Sequence, residues 1–318
     1  MRIVLALILL AGSVARQEAA AQPTDWNQVL PTGHGAFEDV WRPGSWPMGA
    51  APVAAGDSSI WMVGIRSLWE SRDGLEWRFV GPLPEDDRAG ASAHLHGERL
   101  YILGGQAGPL FTTDVASTSD GTSWTRHPMP GWGARRGAAL ASFRGSLFLF
   151  GGENTAPLGD VWRTKDGSSW ERVTDRAPWP TEWQVVPVVF RDSLWAFAGV
   201  SWNATSAGLW VSSNGTAWER VLDRAPWGSR VFPGILAFED HLWVLGGVTP
   251  AGERLGDVWR SADGRDWQLV TPSAPWTRRA GNRAVVYRDA LWLFGGKGKE
   301  EDGESGYAGD IWRLAGIR

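Results

Sequence analysis

Residues 146–170 have the sequence SLFLFGGENTAPLGDVWRTKDGSSW, and two parts of this segment recur along the chain. The glycine doublet returns at intervals of 47, 47, 48 and 49 residues, at Gly104-Gly105, Gly151-Gly152, Ala198-Gly199, Gly246-Gly247 and Gly295-Gly296. The motif Asp-Gly-x-x-Trp returns at intervals of 47, 46, 48 and 49 residues, with Asn-Gly in one copy, and ends at Trp77, Trp124, Trp170, Trp218 and Trp267. Two independent columns that share one period indicate a protein built from structural repeats of about 50 residues.

Each repeat has the pattern of four short strands. In the third repeat, alternating apolar, β-branched and aromatic residues predict strands over residues 138–143, 147–150, 160–164 and 170–173. Asp166-Gly167 lies where a two-residue hairpin turn would need positive φ, which these residue types tolerate. Four strands in about 50 residues are typical of one propeller blade.

The last repeat lacks its fourth strand, and the other end of the chain supplies a copy of it. Residues 25–29, DWNQV, match residues 266–270, DWQLV, while no such segment follows residue 314. We therefore predict an all-β, six-bladed β-propeller with four antiparallel strands per blade, whose last blade is closed by the N-terminal strand. Such closure removes the free edges that a ring of sheets would expose.

The composition excludes several classes of protein. The 318 residues include 23 tryptophans and 41 glycines but no cysteine, which excludes disulfides, thiolate nucleophiles, cysteine-ligated zinc and iron–sulfur clusters. Lys and Arg number 31 against 35 Asp and Glu, and the net charge of −4 provides no basic footprint for nucleic acid. We expect no nucleic-acid partner, no cofactor and no metal, and we expect a monomer.

The N-terminus has the pattern of a secretory signal peptide. Arg2 precedes the apolar run 3–10, and small residues follow up to Ala15 and at Ala19-Ala20-Ala21. We expect residues 1–21 to be a signal peptide, with cleavage after Ala15 or Ala21, and residues 22–318 to form the propeller. The apolar run is too short for a stop-transfer helix, so we expect an exported protein, periplasmic or secreted, without a membrane span.

The glycine doublets, the Gly-Asp-Val-Trp strand starts at Asp160 and Asp257, and the spaced tryptophans resemble the kelch-repeat family. The chain looks most like the bacterial exported, galactose-oxidase-like kelch propellers, and the resemblance covers residues 25–318. It departs from the pattern at Ala116, which replaces a third-strand Trp, and at Gly64, which stands where a doublet is expected. The family includes binding scaffolds and enzymes, so the fold alone does not define the function.

Sorting the tryptophans by repeat position separates a core from candidate site residues. Fifteen lie in predicted strands, where large rings fill the wedge between blades.

A column of mostly charged residues lies in the interblade segments, twelve positions before the second-strand leucine of each repeat. It is formed by Arg88, Arg135, Glu182, Arg230 and Arg279. Three positions earlier lie Trp132, Trp179, Trp227 and Trp276. The interblade segments and the loops between second and third strands are expected on one face, which also carries Glu153. We call the column of Arg88, Arg135, Glu182, Arg230 and Arg279 the arginine ring, and this face the loop face.

Guanidinium groups bind carboxylates and phosphates in bidentate fashion, and tryptophan rings stack on sugars or cations. We therefore interpret the loop face as the binding surface of a non-catalytic interaction module. Its partner would be an anionic small molecule, an acidic glycan or a protein loop. Alternatively, these tryptophans cap the seams between blades while the arginines pair with nearby carboxylates.

A second alternative is a periplasmic kelch-type enzyme that acts on an anionic sugar, as an epimerase or mutarotase does. Glu182 or Glu153 beside Arg135 or Arg230 would then supply acid–base chemistry. The close pair His94 and His96 lies in columns of apolar residues, so we expect both to replace core residues rather than to bind a metal.

Overall fold

Each predicted repeat forms one four-stranded antiparallel sheet in the computed structural model of the protein, which describes residues 26–30, 51–55, 58–64, 66–84, 88–180, 185–198, 208–299 and 305–315. The six sheets are numbered here as blades 1 to 6 in the order of their first strands. The predicted all-β, six-bladed propeller with four antiparallel strands per blade is confirmed. The predicted signal peptide, residues 1–21, lies outside the described residues.

The strands of the six blades, given from blade 1 to blade 6, have the following bounds. The first strands are Ala51–Ala55, Ser92–His96, Ala139–Phe143, Val186–Phe190, Gly234–Phe238 and Arg283–Tyr287. The second strands are Ser59–Val63, Arg99–Leu103, Ser146–Phe150, Ser193–Ala198, His241–Val248 and Ala290–Phe294. The third strands are Ser67–Ser71, Val115–Thr118, Val161–Thr164, Gly208–Ser212, Arg254–Ser261 and Ile311–Ala315. The fourth strands are Arg78–Pro82, Thr125–Arg126, Glu171–Thr174, Glu219–Leu222, Gln268–Thr271 and Trp26–Leu30.

The predicted closure by the N-terminal strand is also confirmed. Trp26–Leu30 pairs antiparallel with Ile311–Ala315 and completes the sheet of blade 6, with Trp26 opposite Leu314. Trp26 is buried in the core cluster between blades 5 and 6. The two ends of the described chain therefore meet in one sheet, and the third strand of blade 6 has no open edge.

The first strands lie innermost, where each contacts the first strands of the two neighbouring blades, and the core lies in the seams between sheets. The second-strand leucine column, Leu100, Leu147, Leu194, Leu242 and Leu291, is completely inaccessible to solvent. All fifteen tryptophans predicted to lie in strands are buried or partly buried. The tryptophan excess is therefore largely a property of the fold.

The turn between third and fourth strands differs from the predicted two-residue hairpin. In blade 3, residues 165–170 connect Val161–Thr164 to Glu171–Thr174, and only Gly167 in this connection has positive φ, at 77°. The Thr164 hydroxyl accepts a hydrogen bond from the Gly167 amide at 2.9 Å and donates to Asp166 Oδ1 at 3.1 Å. Asp166 Oδ1 also accepts hydrogen bonds from the amides of Ser168 and Ser169. The aspartate thus caps the turn with its side chain, as Asx turns do, and needs no left-handed backbone.

The glycine of the same turn packs closely against an aromatic ring of the neighbouring blade. A Cβ atom on Gly167 would lie 2.4 Å from the Tyr101 ring of blade 2, so only glycine allows this contact. Gly74 of blade 1 approaches Trp292 of blade 6 in the same way, at 2.4 Å. Because the contact recurs between the first blade and the last, the ring is closed by packing as well as by the shared sheet.

Candidate functional site

The loop face is built from paired segments. In blades 2, 3, 5 and 6, the interblade segment just before the first strand bonds to the end of the second strand or to the loop that follows it. The paired residues are Ala89 with Gln106, Arg136 with Glu153, Val231 with Val248, and Ala280 with Lys297. The expected common face of these two kinds of loop is therefore confirmed, and the loops are tied to each other by backbone hydrogen bonds.

Arg135 shows how the arginine ring is held. Its Nη1 and Nη2 donate to the two carboxylate oxygens of Asp160 at 2.6 and 2.8 Å, and Nη1 also donates to the Gly151 carbonyl at 2.8 Å. Nε donates to the Gly133 carbonyl, and the guanidinium lies 5.5 Å from the centroid of the Trp132 ring. One side chain thus joins the interblade segment, the glycine doublet and the start of the third strand.

Arg230 and Arg279 repeat this arrangement in blades 5 and 6. Arg230 donates from Nη1 and Nη2 to Asp257 at 2.7 and 2.9 Å, and to the Gly246 carbonyl at 2.9 Å. Arg279 donates to both oxygens of Asp310, and to the Gly295 carbonyl at 2.9 Å. Both arginines are buried, so the structure places these cations inside the loop face.

Asp160, the partner of Arg135, is held in its charged form. Burial raises the pKa of Asp160, but hydrogen bonds from Arg135 and Trp162 outweigh it, and the pKa lies below its ordinary value. The indole Nε1 of the third-strand tryptophan donates to the aspartate in each case, at 2.7 Å from Trp162 and Trp259 and at 2.8 Å from Trp312. These bonds explain why aspartate and tryptophan recur two residues apart in the repeat.

The arginine ring is uneven around the propeller. In blade 2, Arg88 is buried and its Nη2 lies 3.1 Å from Asp114 Oδ2, while Asp114 is half exposed. In blade 4 the ring position is Glu182, which lies outside the described residues, and the position of the aspartate is taken by Gly208. Arginine and aspartate are thus both missing in blade 4, as expected if the two residues depend on each other.

The four tryptophans predicted for the site lie in the seams between blades. Trp132, Trp179, Trp227 and Trp276 are between 2% and 7% exposed. Each meets a fourth-strand tryptophan edge to face, at centroid distances of 5.7 Å to Trp170, 4.9 Å to Trp218, 4.2 Å to Trp267 and 4.5 Å to Trp26. In this structure the rings pack against the protein itself. Ligand contact by these tryptophans and by the arginine ring stays a prediction.

The predicted site residue Glu153 belongs to a polar cluster on the loop face. Glu153 is buried, and its Oε1 accepts a hydrogen bond from Arg136 Nε at 2.7 Å. Arg136 also donates to Gln106 Oε1, and its guanidinium lies 5.7 Å from the Phe111 ring centroid. Because Gln106 and Phe111 belong to blade 2 while Glu153 belongs to blade 3, Arg136 bridges the two blades. Its side chain remains 31% exposed.

A second bridge of this kind joins blades 5 and 6. Arg278 Nη1 lies 3.3 Å from Glu253 Oε1, with side-chain exposures of 58% and 65%. Arg136 and Arg278 each lie next to a ring arginine in the sequence, but they are not among the predicted site residues. The signal that marks them in the sequence is a second arginine directly beside a ring arginine, at Arg135-Arg136 and Arg278-Arg279.

The pair His94 and His96 lies in the seam between blades 2 and 3. His94 Nε2 accepts a hydrogen bond from the Ser142 amide at 3.0 Å, and His96 contacts the Ser142 hydroxyl and the Lys165 carbonyl. Burial, together with the nearby His96, lowers the pKa of His94 to about 4. His94 and His96 are therefore partly buried and hydrogen-bonded to blade 3. In the described part of the chain, we find no group of three or more His, Asp or Glu side chains placed to hold a metal ion.

No protein-family model matches the sequence, and no curated protein matches it at a significant level. The class of protein is therefore defined by its architecture: a six-bladed β-propeller built from internal repeats. Across the described ranges there is also no long apolar helix of the kind that crosses a bilayer.

Proposed function

We propose that this propeller is an exported, non-catalytic binding module of kelch type. Its ligand would be an anionic small molecule, an acidic glycan or an acidic loop of a protein partner, bound on the loop face. The kelch assignment is supported by the glycine doublets and the Gly-Asp-Val-Trp strand starts. Export to the periplasm or the medium is supported by the signal-like residues 1–21.

The observation that carries the proposal is the rigid construction of the loop face. Three buried arginines each clamp an aspartate in bidentate fashion and bind a carbonyl of the glycine doublet. Loops held this way lose little conformational entropy when they bind, and preorganisation of that kind favours recognition. Binding residues commonly lie on loops that a rigid scaffold holds in position.

The accessible cations of this face are the proposed ligand contacts. Arg136 and Arg278 are partly exposed, and each spans two blades. Each guanidinium pairs with one carboxylate, that of Glu153 or Glu253, and keeps part of its surface accessible to solvent. A guanidinium has five N–H donors in a planar fork, so it can hold a glutamate and still offer donors to a ligand anion. The arginine ring would then hold the surface in shape, while its exposed neighbours contact the ligand.

The test is a binding screen on the full chain. Acidic glycans and small anionic metabolites are titrated while tryptophan fluorescence is followed, and hits are confirmed by calorimetry. For a genuine ligand, we expect Arg136→Ala and Arg278→Ala to weaken binding at least about tenfold, the effect of losing a charged hydrogen bond. Arg172→Ala, on the outer strand of blade 3, is the matched control because it removes a 54% exposed arginine away from this face.

The enzymatic alternative gives a different result in the same screen. An epimerase or mutarotase would convert its sugar, and Glu153→Gln would abolish turnover while binding persisted. In a binding module, no sugar is converted, and Glu153→Gln changes only affinity. If no anion binds, or if Arg136→Ala and Arg278→Ala bind as the control does, the loop face is not the binding surface.

A further inference from the structure

The first strand of blade 2 differs from the other first strands in polarity. His94 and His96 lie two residues apart in Ser92–His96, so their side chains point to the same side of the strand. The strand register gives the equivalent residues of the other blades, which are Val53, Ala141, Val188, Leu236 and Val285 for His94, and Ala55, Phe143, Phe190, Phe238 and Tyr287 for His96. Among the six first strands that the structure describes, only that of blade 2 has histidines where the others have aliphatic or aromatic residues.

The two histidines bond to blade 3. His94 Nε2 accepts a hydrogen bond from the Ser142 amide at 3.0 Å, and the Ser142 hydroxyl donates to the Leu95 carbonyl at 3.0 Å. His96 Nε2 donates to the Lys165 carbonyl at 3.2 Å. The inner part of the seam between blades 2 and 3 is therefore held by side-chain hydrogen bonds.

A third histidine, His127, lies in the outer part of the same seam. Its Nε2 lies 2.8 Å from Ser117 Oγ of its own blade, and its Nδ1 lies 2.9 Å from Ser168 Oγ of blade 3. Three of the five histidines of the chain thus bond to blade 3 across one seam. This concentration of titratable groups makes the seam a candidate for a response to pH.

Protonation of His94 is incompatible with its bond. A protonated His94 Nε2 would present an N–H to the Ser142 amide, and neither group could accept a hydrogen bond. The charged residues beside His96 are Arg99, its partner in the second strand, and Lys165, so neither would offset a new positive charge. Burial, and then the nearby His96, lowers the pKa of His94 to about 4. The closed seam thus requires His94 to be neutral.

His127 is surrounded in a different way. Burial, and then repulsion by Arg99, lowers the pKa of His127, while Asp166 of blade 3 acts in the opposite direction. The Tyr101 ring stacks on His127 at a centroid distance of 5.6 Å, and burial raises the pKa of Tyr101, so this group stays neutral. The partners of His127 are hydroxyl groups, which can accept a hydrogen bond as well as donate one. His94 is therefore the histidine whose protonation breaks a bond across the seam.

The same seam reaches the loop face at the segment that carries Arg136. The Arg135 amide donates to the Thr112 carbonyl at 3.1 Å, and the Gly137 amide donates to the Gly90 carbonyl at 2.8 Å. Both carbonyls belong to the blade 2 side of the seam. The Arg136 side chain also donates to blade 2. Separation of blades 2 and 3 would therefore disrupt the bridge that Arg136 makes.

We propose that the seam between blades 2 and 3 is an acid-sensitive joint, in which protonation of His94 opens the seam and releases the Arg136 bridge on the loop face. The imidazole has a pKa of about 4 in the closed seam and regains its ordinary value of about 6.5 in the open one, so the open form binds the proton more tightly. The closed seam is therefore fully stable above a pH of about 6.5, and the ratio of open to closed molecules rises about thirtyfold between pH of about 7.5 and about 5.

Control of ligand binding by this joint rests on the proposed function, because Arg136 is a proposed ligand contact. Acid would then weaken binding at the loop face without any change in the ligand. The opening of the seam itself does not depend on that function, and it can be measured without a ligand.

The test is hydrogen exchange of the full chain, resolved to single amides and corrected for the effect of pH on intrinsic exchange. Between pH of about 7.5 and about 5, we expect the protection of the Ser142, Arg135 and Gly137 amides to fall about thirtyfold. The matched control is the Gly281 amide, which donates to the Phe232 carbonyl at 2.8 Å across the seam between blades 5 and 6. Its protection should change by less than about twofold.

Two variants assign the effect to His94. His94→Val introduces the residue type that blades 4 and 6 have at this position, so we expect it to fold and to keep its seam amides protected at the lower pH. His241→Val removes a histidine of blade 5 outside the seam and should lose protection as the wild type does.

The proposal is overturned if the Ser142 amide keeps its protection in acid, or if His94→Val stays as sensitive as the wild type. Equal loss at Gly281 would also overturn it, because acid would then destabilise the whole fold rather than one seam. Loss at Ser142 alone, with Arg135 and Gly137 still protected, would refute release of the Arg136 bridge. A negative result in the ligand screen would count against the proposed function and not against the joint.

Discussion

The pair between Arg279 and Asp310 allows the structural role of the arginine ring to be measured. Their side chains are 1% and 5% exposed, so Asp310→Asn leaves a buried guanidinium without its counter-ion. Breaking a buried ion pair on one side costs about 3–5 kcal/mol. Arg279 would still donate to the carbonyls of Gly295 and Thr277, so we expect the lower end of that range, about 3 kcal/mol. In a domain of this size, such a loss lowers the melting temperature by about 6 °C.

Urea denaturation of the wild type and of Asp310→Asn measures this loss as a difference in the free energy of unfolding. The matched control is Asp223→Asn, since Arg220 and Asp223 form a pair with exposures of 49% and 79%, and we expect it to cost no more than about 0.5 kcal/mol. The double variant Arg279→Met/Asp310→Asn removes both charges, and its loss of stability should be smaller than the sum of the losses in Arg279→Met and Asp310→Asn. A loss below about 1 kcal/mol in Asp310→Asn, or strictly additive losses in the double variant, would refute the interpretation that the buried arginine–aspartate pairs stabilise the fold.

Three further predictions concern the seams and the closure. The pKa of His94 is about 4 in the folded protein and about 6.5 when unfolded, so the unfolded chain binds the proton more tightly. Stability is therefore lost as pH falls from about 6.5 through about 4, by up to about 3 kcal/mol, and His94→Val should remove this loss in melts taken across that range. Gly167→Ala drives a Cβ into Tyr101 and should cost about 2–4 kcal/mol in urea denaturation, well above Gly145→Ala, whose Cβ would meet no atom within 4 Å; equal costs would refute the packing argument. Deletion of residues 26–30 removes the fourth strand of blade 6 and should cost at least about 4 kcal/mol, because burial of Trp26 alone is worth about 3–5 kcal/mol; an unchanged melt would contradict the closure.

The blades were predictable because the repeat supplies several independent columns. In blade 3 the predicted strand bounds lie within one residue of the observed ones, and the copied N-terminal strand is in place. The turn type was wrong because hairpin rules consider φ alone. Asp166 instead satisfies the turn through its side chain, together with Thr164, a solution that depends on hydrogen bonds across several residues.

The candidate site was less predictable. The residues at one position of the repeat do not indicate whether a charged side chain points to solvent or to a partner. The sequence separation between arginine and aspartate is 25 residues for Arg135 and 31 for Arg279, and no local pattern links them. One signal was present in the sequence all the same. Where Glu182 replaces the arginine, Gly208 replaces the aspartate, and a joint loss of this kind indicates contact.

The repeat also distinguishes residues that occur at the same position in most blades from residues that occur in one blade only. A side chain that recurs in most blades, such as the arginine paired with aspartate, can be explained by what each blade requires to pack on the next. Arg283 does not recur in this way, since the other five blades have alanine, serine, valine or glycine at its position.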